Sequence, residues 1–135
     1  MSESMVDVAA RLLVTCMGLK LEETLLVVTD GPTREIGEAL FEAGSRVGVK
    51  TILMVIHPTG RHGAEHLPVV AEAMKRVDVV VCPTQFSLTH TQARLEAARS
   101  GVRIATMPGI TQDMFFAGAV SADYEAVSRS TRELT

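Results

Sequence analysis

Two polar turns of the sequence combine hydrogen-bonding side chains with the start of a predicted helix. The first turn, residues 29–34, contains Asp30, Thr33 and Arg34. Backbone amides at a helix start, together with an arginine, can hold an anion. The turn has neither the G-x-G-x-x-G of a dinucleotide-binding fold nor the G-K-S/T of a P-loop. The favoured alternative is a turn in which Asp30 and Thr33 only satisfy backbone amides.

The second turn follows an apolar, β-branched run and is richer in polar groups. Its hydrogen-bonding side chains are those of Thr84, Gln85, Ser87 and Thr89. Ser87 is also a suitable N-cap for the next helix, which is its purely structural alternative. His90 is predicted to lie one turn into that helix, where it faces either a ligand or the protein. The residues leave both alternatives for His90 open.

The sequence predicts no catalytic residue, metal ligand or cofactor in this chain. Three histidines at positions 57, 62 and 66 share one loop with Glu65, but their spacing matches no known ligand signature, so a solvated loop is expected. No H-E-x-x-H occurs. Cys82 lies near a helix start, where thiols can be activated, yet its apolar strand and the following proline predict a buried, inert thiol.

The elements that must position the two turns alternate between helix and strand. The predicted strands are residues 24–29, 51–56, 78–82 and 102–106. Strands separated by helices pair in parallel through right-handed crossovers, and strands that are apolar throughout are covered on both faces. We therefore expect a three-layer αβα, doubly wound, mainly parallel sheet of four or five strands, ordered 2-1-3-4. The predicted crevice lies between residues 30–34 and 83–90.

Composition narrows the classes of function. The 135 residues fit a single domain, 47% of them are hydrophobic and 21% charged, which predicts a packed globule. The net charge of −3 gives no reason to expect nucleic-acid binding. No apolar run reaches the roughly 20 residues of a membrane helix, and no cationic cluster marks a secretory signal. Two distant cysteines in apolar contexts predict reduced thiols and a cytoplasmic location.

Two longer runs resemble a known family. Residues 78–91 read D-V-V-V-C-P-T-Q-F-S-L-T-H-T and residues 103–111 read R-I-A-T-M-P-G-I-T. Together they resemble the amino-terminal domain of the aminopeptidase T-like family, also called the thermophilic metalloprotease family. The resemblance extends over nearly the whole chain, from the first helix to Tyr124 and beyond.

The resemblance implies a parent protein that is a metal-dependent aminopeptidase. Its divalent metal, zinc, cobalt or manganese, would be held by a carboxy-terminal catalytic domain that this chain lacks. The chain itself would be the non-catalytic amino-terminal domain, and no metal ligand carries over onto its residues. The alternative is a stand-alone small-molecule or anion-binding module that uses the crevice.

The last segment of the chain carries two further expectations. The final predicted helix reaches Thr135 without a glycine or proline stop, which favours a fragment of a longer protein. Four apolar side chains cluster in the segment and predict an exposed patch and a homodimer. They are Phe115, Phe116, Val120 and Tyr124.

Overall fold

The computed structural model describes residues 4–57, 68–85 and 91–120. The helices are α1 (Met5–Arg11), α2 (Arg34–Arg46), α3 (Pro68–Lys75), α4 (Gln92–Arg99) and α5 (Gln112–Val120). The strands are β1 (Thr24–Asp30), β2 (Lys50–Ile56), β3 (Val79–Thr84) and β4 (Arg103–Pro108). A π-helical turn, Leu12–Cys16, continues α1, and a 3-10 turn, Gly31–Thr33, precedes α2.

The four strands form one parallel sheet in the order β2-β1-β3-β4. The class, the parallel pairing and the order predicted from the sequence are confirmed. The two central strands are buried almost throughout, whereas every residue of the outer strand β2 keeps some exposure. Side chains alternate across a strand, so a strand covered on both faces must be apolar at nearly every position.

Two apolar cores cover the two faces of the sheet. One face packs against α1, α2 and α5, through side chains such as Val8, Leu40 and Phe115. The other face packs against α3 and α4, through Met74 and Ala97 among others. The molecule is thus a three-layer αβα domain of the Rossmann-like or flavodoxin-like kind.

The start of α4 differs from the sequence prediction. Thr91 has extended backbone, with φ −75° and ψ 152°, and its hydroxyl accepts a hydrogen bond from the backbone N–H of Arg94 at 3.2 Å. An extended residue whose side chain caps the next turn is an N-cap. The helix therefore begins at Gln92, and its predicted start at Ser87 is wrong. The position predicted for His90 lies outside the described residues.

Strand β3 runs two residues past the predicted end at Cys82 and includes Pro83. A proline is tolerated there because the pairing of β3 with β1 stops at Val81, leaving β4 as the one paired strand on that stretch. Proline has no N–H to donate to a ladder, so within sheets it is confined to edges, strand ends and bulges.

The final helix departs from the predicted exposed patch. Phe115 is 3% exposed and belongs to the core that α1 and α2 cover, and Phe116 is half-buried against the same core. The prediction that Phe115 lies on an open apolar surface is therefore wrong, and Tyr124 lies outside the described residues. Among the residues described, no helix is long and apolar enough to cross a membrane.

Candidate ligand-binding crevice at the carboxyl ends of the strands

Strands β1 and β3 separate before they end. Their pairing stops at Val27 and Val81, although β1 continues to Asp30 and β3 to Thr84. Beyond this point β1 continues beside β2, and β3 continues beside β4. In an open α/β sheet a crevice forms at such a switch in strand order. The predicted crevice therefore coincides with a real divergence of the two strands.

The carboxylate of Asp30 spans this divergence. Its Oδ2 accepts a hydrogen bond from the backbone N–H of Gln85 at 2.7 Å, and its Oδ1 accepts one from the hydroxyl of Thr33 at 2.8 Å. Asp30 is 1% exposed. A carboxylate buried to this degree is tolerable because hydrogen bonds replace its lost hydration. The aspartate thus joins the turn after β1 to the turn after β3.

Thr33 adds a second link between the same two turns. Its Oγ1 lies within hydrogen-bonding distance of the Asp30 carboxylate, the Pro83 carbonyl oxygen and, at 3.0 Å, the Thr29 hydroxyl. A threonine hydroxyl has one proton, so it donates either to Asp30 or to Pro83 while accepting from Thr29. Asp30 and Thr33, two of the three predicted site residues of the first turn, are therefore engaged with protein partners.

The turn after β4 closes the other side of β3. The backbone N–H of Gly109 donates to the carbonyl oxygen of Thr84 at 2.8 Å, and Gly109 has a positive φ of 64°, which glycine adopts without strain. Thr84 is buried and Gln85 is exposed. Of the predicted residues in the second turn, Thr84 supports the sheet end and Gln85 offers its side chain to solvent.

Arg34 does not converge with Asp30 and Thr33. Its Nε donates to Oε1 of Glu38 at 3.2 Å, one helical turn further along α2, and the two side chains are 59% and 55% exposed. The exposed pair lies on the outer surface of the helix. The anion site predicted from Arg34 and the first turn is therefore not assembled in this structure.

Several predicted residues cannot be compared with the structure. Ser87 and His90 lie outside the described residues, as do Glu65 and two of the loop histidines. Within the described ranges, no three histidine, cysteine, aspartate or glutamate side chains are close enough to hold a metal ion.

Arg94 is a buried residue that the sequence analysis missed. It is 1% exposed, and within the described part of the chain its Nε and Nη1 have no hydrogen-bond partner. Charged residues of a helix usually face solvent, so a sequence pattern rarely marks one as buried. Helical spacing puts Arg94 beside Ala93 and Ala97, which face the sheet.

The thiol of Cys82, at the carboxyl end of β3, is the titratable group that acts on the charge of Arg94. Burial raises the pKa of Cys82 to about 12, and the positive charge of Arg94 opposes this rise. Burial also lowers the pKa of Arg94. Cys82 therefore stays protonated and neutral at pH 7, and it cannot serve as the counter-ion of the guanidinium.

Comparison with known proteins bears on the fold alone. No family model matches the chain, and no curated protein does. The structure is similar to that of 2,5-dihydroxypyridine dioxygenase from Pseudomonas putida KT2440, with a TM-score of 0.61 at 14% sequence identity. The match covers 79% of this chain and 35% of the dioxygenase, so the chain spans about a third of that protein's length.

Proposed function

We propose that this chain is the non-catalytic amino-terminal α/β domain of a metal-dependent enzyme that resembles the aminopeptidases. In this proposal the parent protein releases amino-terminal residues from peptides. Its zinc, cobalt or manganese would be bound by a carboxy-terminal domain. In this proposal the chain packs beside that domain as a structural support and takes no part in bond cleavage.

The observation that carries the proposal is the placement of the two family-like runs. They lie on adjacent parallel strands, with Cys82 opposite Thr106 and Pro83 opposite Met107. Their turns meet where the N–H of Gly109 bonds the carbonyl of Thr84. The described parts of the two runs, residues 78–85 and 103–111, thus lie side by side and reach the carboxyl end of the sheet, where α/β proteins bind ligands.

Two further features favour a structural, non-catalytic role for this domain. The crevice polar groups Asp30 and Thr33 bond each other and the turn after β3, so they hold the sheet end in place. In the dioxygenase, a fold of this kind also occupies about a third of a larger enzyme. The exposed apolar side chains of Ile52, Val55 and Met114 are available to contact the rest of the parent protein or a second copy of the chain.

The proposed location is the cytoplasm. Cys16 and Cys82 are both free thiols in the structure. Free thiols persist in reducing compartments, and Cys82 is fully buried.

The test compares the 135-residue chain with the intact product of its native gene. Both are purified, stripped of metal and assayed for release of amino-terminal residues from amino-acid amides, with zinc, cobalt or manganese added. We expect an intact product of roughly 300 residues or more, with metal-dependent activity that a chelator abolishes. The 135-residue chain should be inactive with every metal.

Two results would overturn the proposal. Metal-dependent hydrolysis by the 135-residue chain alone would make this domain catalytic. A native product no longer than this chain would remove the parent protein and favour a stand-alone binding module. The guanidinium of Arg94 is the observation that favours this second candidate, because two of its three nitrogens have no hydrogen-bond partner within the described residues and a ligand could pair with them.

A further inference from the structure

We propose that the amino-terminal end of α4 binds a small oxyanion, a carboxylate or a phosphate group, and that Arg94 neutralises its charge. The inference applies to this domain alone or within a larger protein, so its failure would leave the proposed function standing.

The guanidinium of Arg94 is buried and incompletely hydrogen-bonded. Arg94 is among the largest fully buried side chains, and two of its three guanidinium nitrogens have no partner in the described residues. A buried arginine is normally paired or hydrogen-bonded, because an isolated buried charge loses its hydration and receives nothing in return. The folded chain therefore holds a cation whose compensation is incomplete.

The cationic side chain of Arg94 lies near the amino-terminal end of α4. Arg94 is the third residue of α4, and long helical side chains lean toward the amino-terminal end of their helix. The neighbouring Cys82 lies near the carboxyl end of β3 and feels the Arg94 charge. The guanidinium thus lies where a helix start meets the carboxyl end of a strand, and the helix dipole there also favours a negative charge.

Two carboxylates considered as counter-ions for Arg94 already have other partners. Glu96, on the same helix, lies 3.8 Å from Nζ of Lys75 and accepts from Gln92. Asp30 is bonded to Gln85 and Thr33. The nearby thiol of Cys82 is neutral because burial raises its pKa to about 12. An oxyanion from outside the described residues would supply the negative charge that pairs with Arg94.

Arg94 is only 1% exposed, so an anion bound to it is held within the folded chain. Ligands that bind only the folded state raise its stability by mass action. Anion binding should therefore appear as a rise in the midpoint of thermal unfolding.

The experiment uses the 135-residue chain, dialysed into dilute Tris chloride. Thermal unfolding is measured with increasing sodium phosphate, sodium acetate and, at matched ionic strength, sodium chloride. The test variant is Arg94→Met, and the matched control is Arg99→Met, which removes an exposed arginine from the same helix. We expect phosphate or acetate to raise the midpoint of the wild type and of Arg99→Met well above the effect of chloride.

Arg94→Met should show no response beyond that of chloride. Without added anion it should unfold at a higher temperature than the wild type, because replacing an unpaired buried charge by an apolar side chain removes a desolvation cost. The anion with the larger effect identifies the source, a phosphate ligand or a carboxylate ligand.

A second measurement keeps the proposal testable if Arg94→Met does not fold. The side-chain Nε–H resonance of Arg94 in the wild type, assigned by its loss in Arg94→Lys, should shift on titration with phosphate or acetate. An unmoved resonance would overturn the anion site, as would equal anion responses of Arg94→Met and the wild type. A less stable Arg94→Met, with no anion response in either protein, would mean that the chain itself neutralises Arg94 and would also overturn it.

Discussion

The two ends of the sheet are fastened by the same kind of bond in different surroundings. At the carboxyl end, Asp30, the last residue of β1, accepts from the backbone N–H of Gln85 after β3, at 2.7 Å. At the amino end, Asp78 before β3 accepts from the backbone N–H of Thr24 at the start of β1, at 2.9 Å. At each end an aspartate on one central strand therefore holds the backbone of the other.

The surroundings of the two bonds differ in exposure and in charge. Asp30 is buried beside the hydroxyl of Thr33, whereas the bond of Asp78 is exposed. Beside the amino end, Arg103 donates to both carboxylate oxygens of Glu23, at 2.7 and 2.9 Å, and its Nε donates to the carbonyl of Met17 at 3.1 Å. At the carboxyl end, a few largely buried groups link the two strands. At the amino end, a cluster of charged side chains is partly exposed to solvent.

This difference teaches why polar residues at a predicted crevice need not face a ligand. The strands diverge at the carboxyl end, so side chains must replace the ladder that stops at Val27 and Val81. In a dry setting each unmade hydrogen bond is costly, whereas water can replace a lost partner at an exposed edge. The same substitution should therefore destabilise the protein more at the carboxyl end.

The largest expected effect comes from Asp30→Ala compared with Asp78→Ala. Asp30→Ala leaves the hydroxyl of Thr33, in a buried site, and the N–H of Gln85, in a partly buried one, without their carboxylate partner. We expect it to lower the free energy of unfolding by about 3 kcal/mol. Asp78→Ala should lower it by about 1 kcal/mol, because water reaches the freed N–H of Thr24. Urea denaturation monitored by circular dichroism measures both.

Asp30→Asn provides the finer control for this pair. Its carbonyl oxygen can replace one of the two carboxylate acceptors, so its loss of stability should fall between those of Asp30→Ala and the wild type. Equal losses for Asp30→Ala and Asp78→Ala would remove the distinction between a dry and a wet end.

The next effect concerns how closely α2 approaches the sheet at each end. A Cβ added at Gly37 would lie 2.6 Å from Cβ and Cγ2 of Thr29, next to the backbone of a buried central strand. A Cβ added at Gly44 would press on the hydroxyl of Thr51, a half-buried side chain on the outer strand β2. Overpacking is costly where the neighbour cannot move, and Thr51 is the freer of the two.

We therefore expect Gly37→Ala to destabilise the protein by about 2 kcal/mol, after a gain in helix propensity of about 1 kcal/mol. Gly44→Ala should cost less because Thr51 can shift, although the added Cβ would also lie 3.1 Å from Cδ2 of the buried Leu25. The check is the urea midpoint of each variant, with slopes that match the wild type. A larger loss for Gly44→Ala would show that the amino end is the more tightly packed one.

The sequence was sufficient for the sheet but not for the partners of its polar side chains. Apolar strands alternating with helices specify parallel pairing and strand order, because few topologies cover both faces of such strands. The bond from Gln85 to Asp30 crosses 55 positions, and no local pattern encodes it. Arg94 was missed because a charged side chain on a helix is expected to face solvent. The start of α4 was misplaced because Thr91 competed with Ser87 as the cap. Phe115 was misplaced because a terminal helix was assumed to lie outside the core.

The third prediction concerns the charged cluster at the amino end. The hydrogen bonds from Arg103 hold the pKa of Glu23 below its ordinary value of 4.5. A carboxylate whose folded pKa is depressed stabilises the protein fully above its unfolded pKa and loses this contribution as the pH falls through the folded pKa. The Glu23 contribution should thus be complete at neutral pH and be lost progressively as the pH falls below 4.5.

At pH 7, Glu23→Gln should cost about 1 kcal/mol, since Arg103 is a third exposed and solvent screens the pair. The difference from the wild type should shrink as the pH is lowered from 5 to about 3. Glu42→Gln, an exposed glutamate of α2, is the control and should give no such trend. A Glu23→Gln difference that stays constant across this range would refute the linkage.

The smallest expected effect belongs to Arg34, the arginine that the sequence assigned to the crevice. Its pair with Glu38 is exposed, has the less favourable order with the cation nearer the helix start, and is screened by salt. A double-mutant cycle of Arg34→Ala and Glu38→Ala should give a coupling of about 0.3 kcal/mol or less, falling further in high salt.

Arg34→Ala should also leave the response to phosphate and acetate unchanged, because its guanidinium points to solvent beside Glu38 rather than toward the carboxyl ends of β1 and β3. This makes Arg34 the control that separates the two candidate anion sites. The sequence raises an anion site at the turn after β1 as the less favoured alternative, and the structure favours the start of α4. Loss of the response in Arg34→Ala with retention in Arg94→Met would return the site to the first turn, and it would require the buried bridge of Asp30 and Thr33 to open for the ligand.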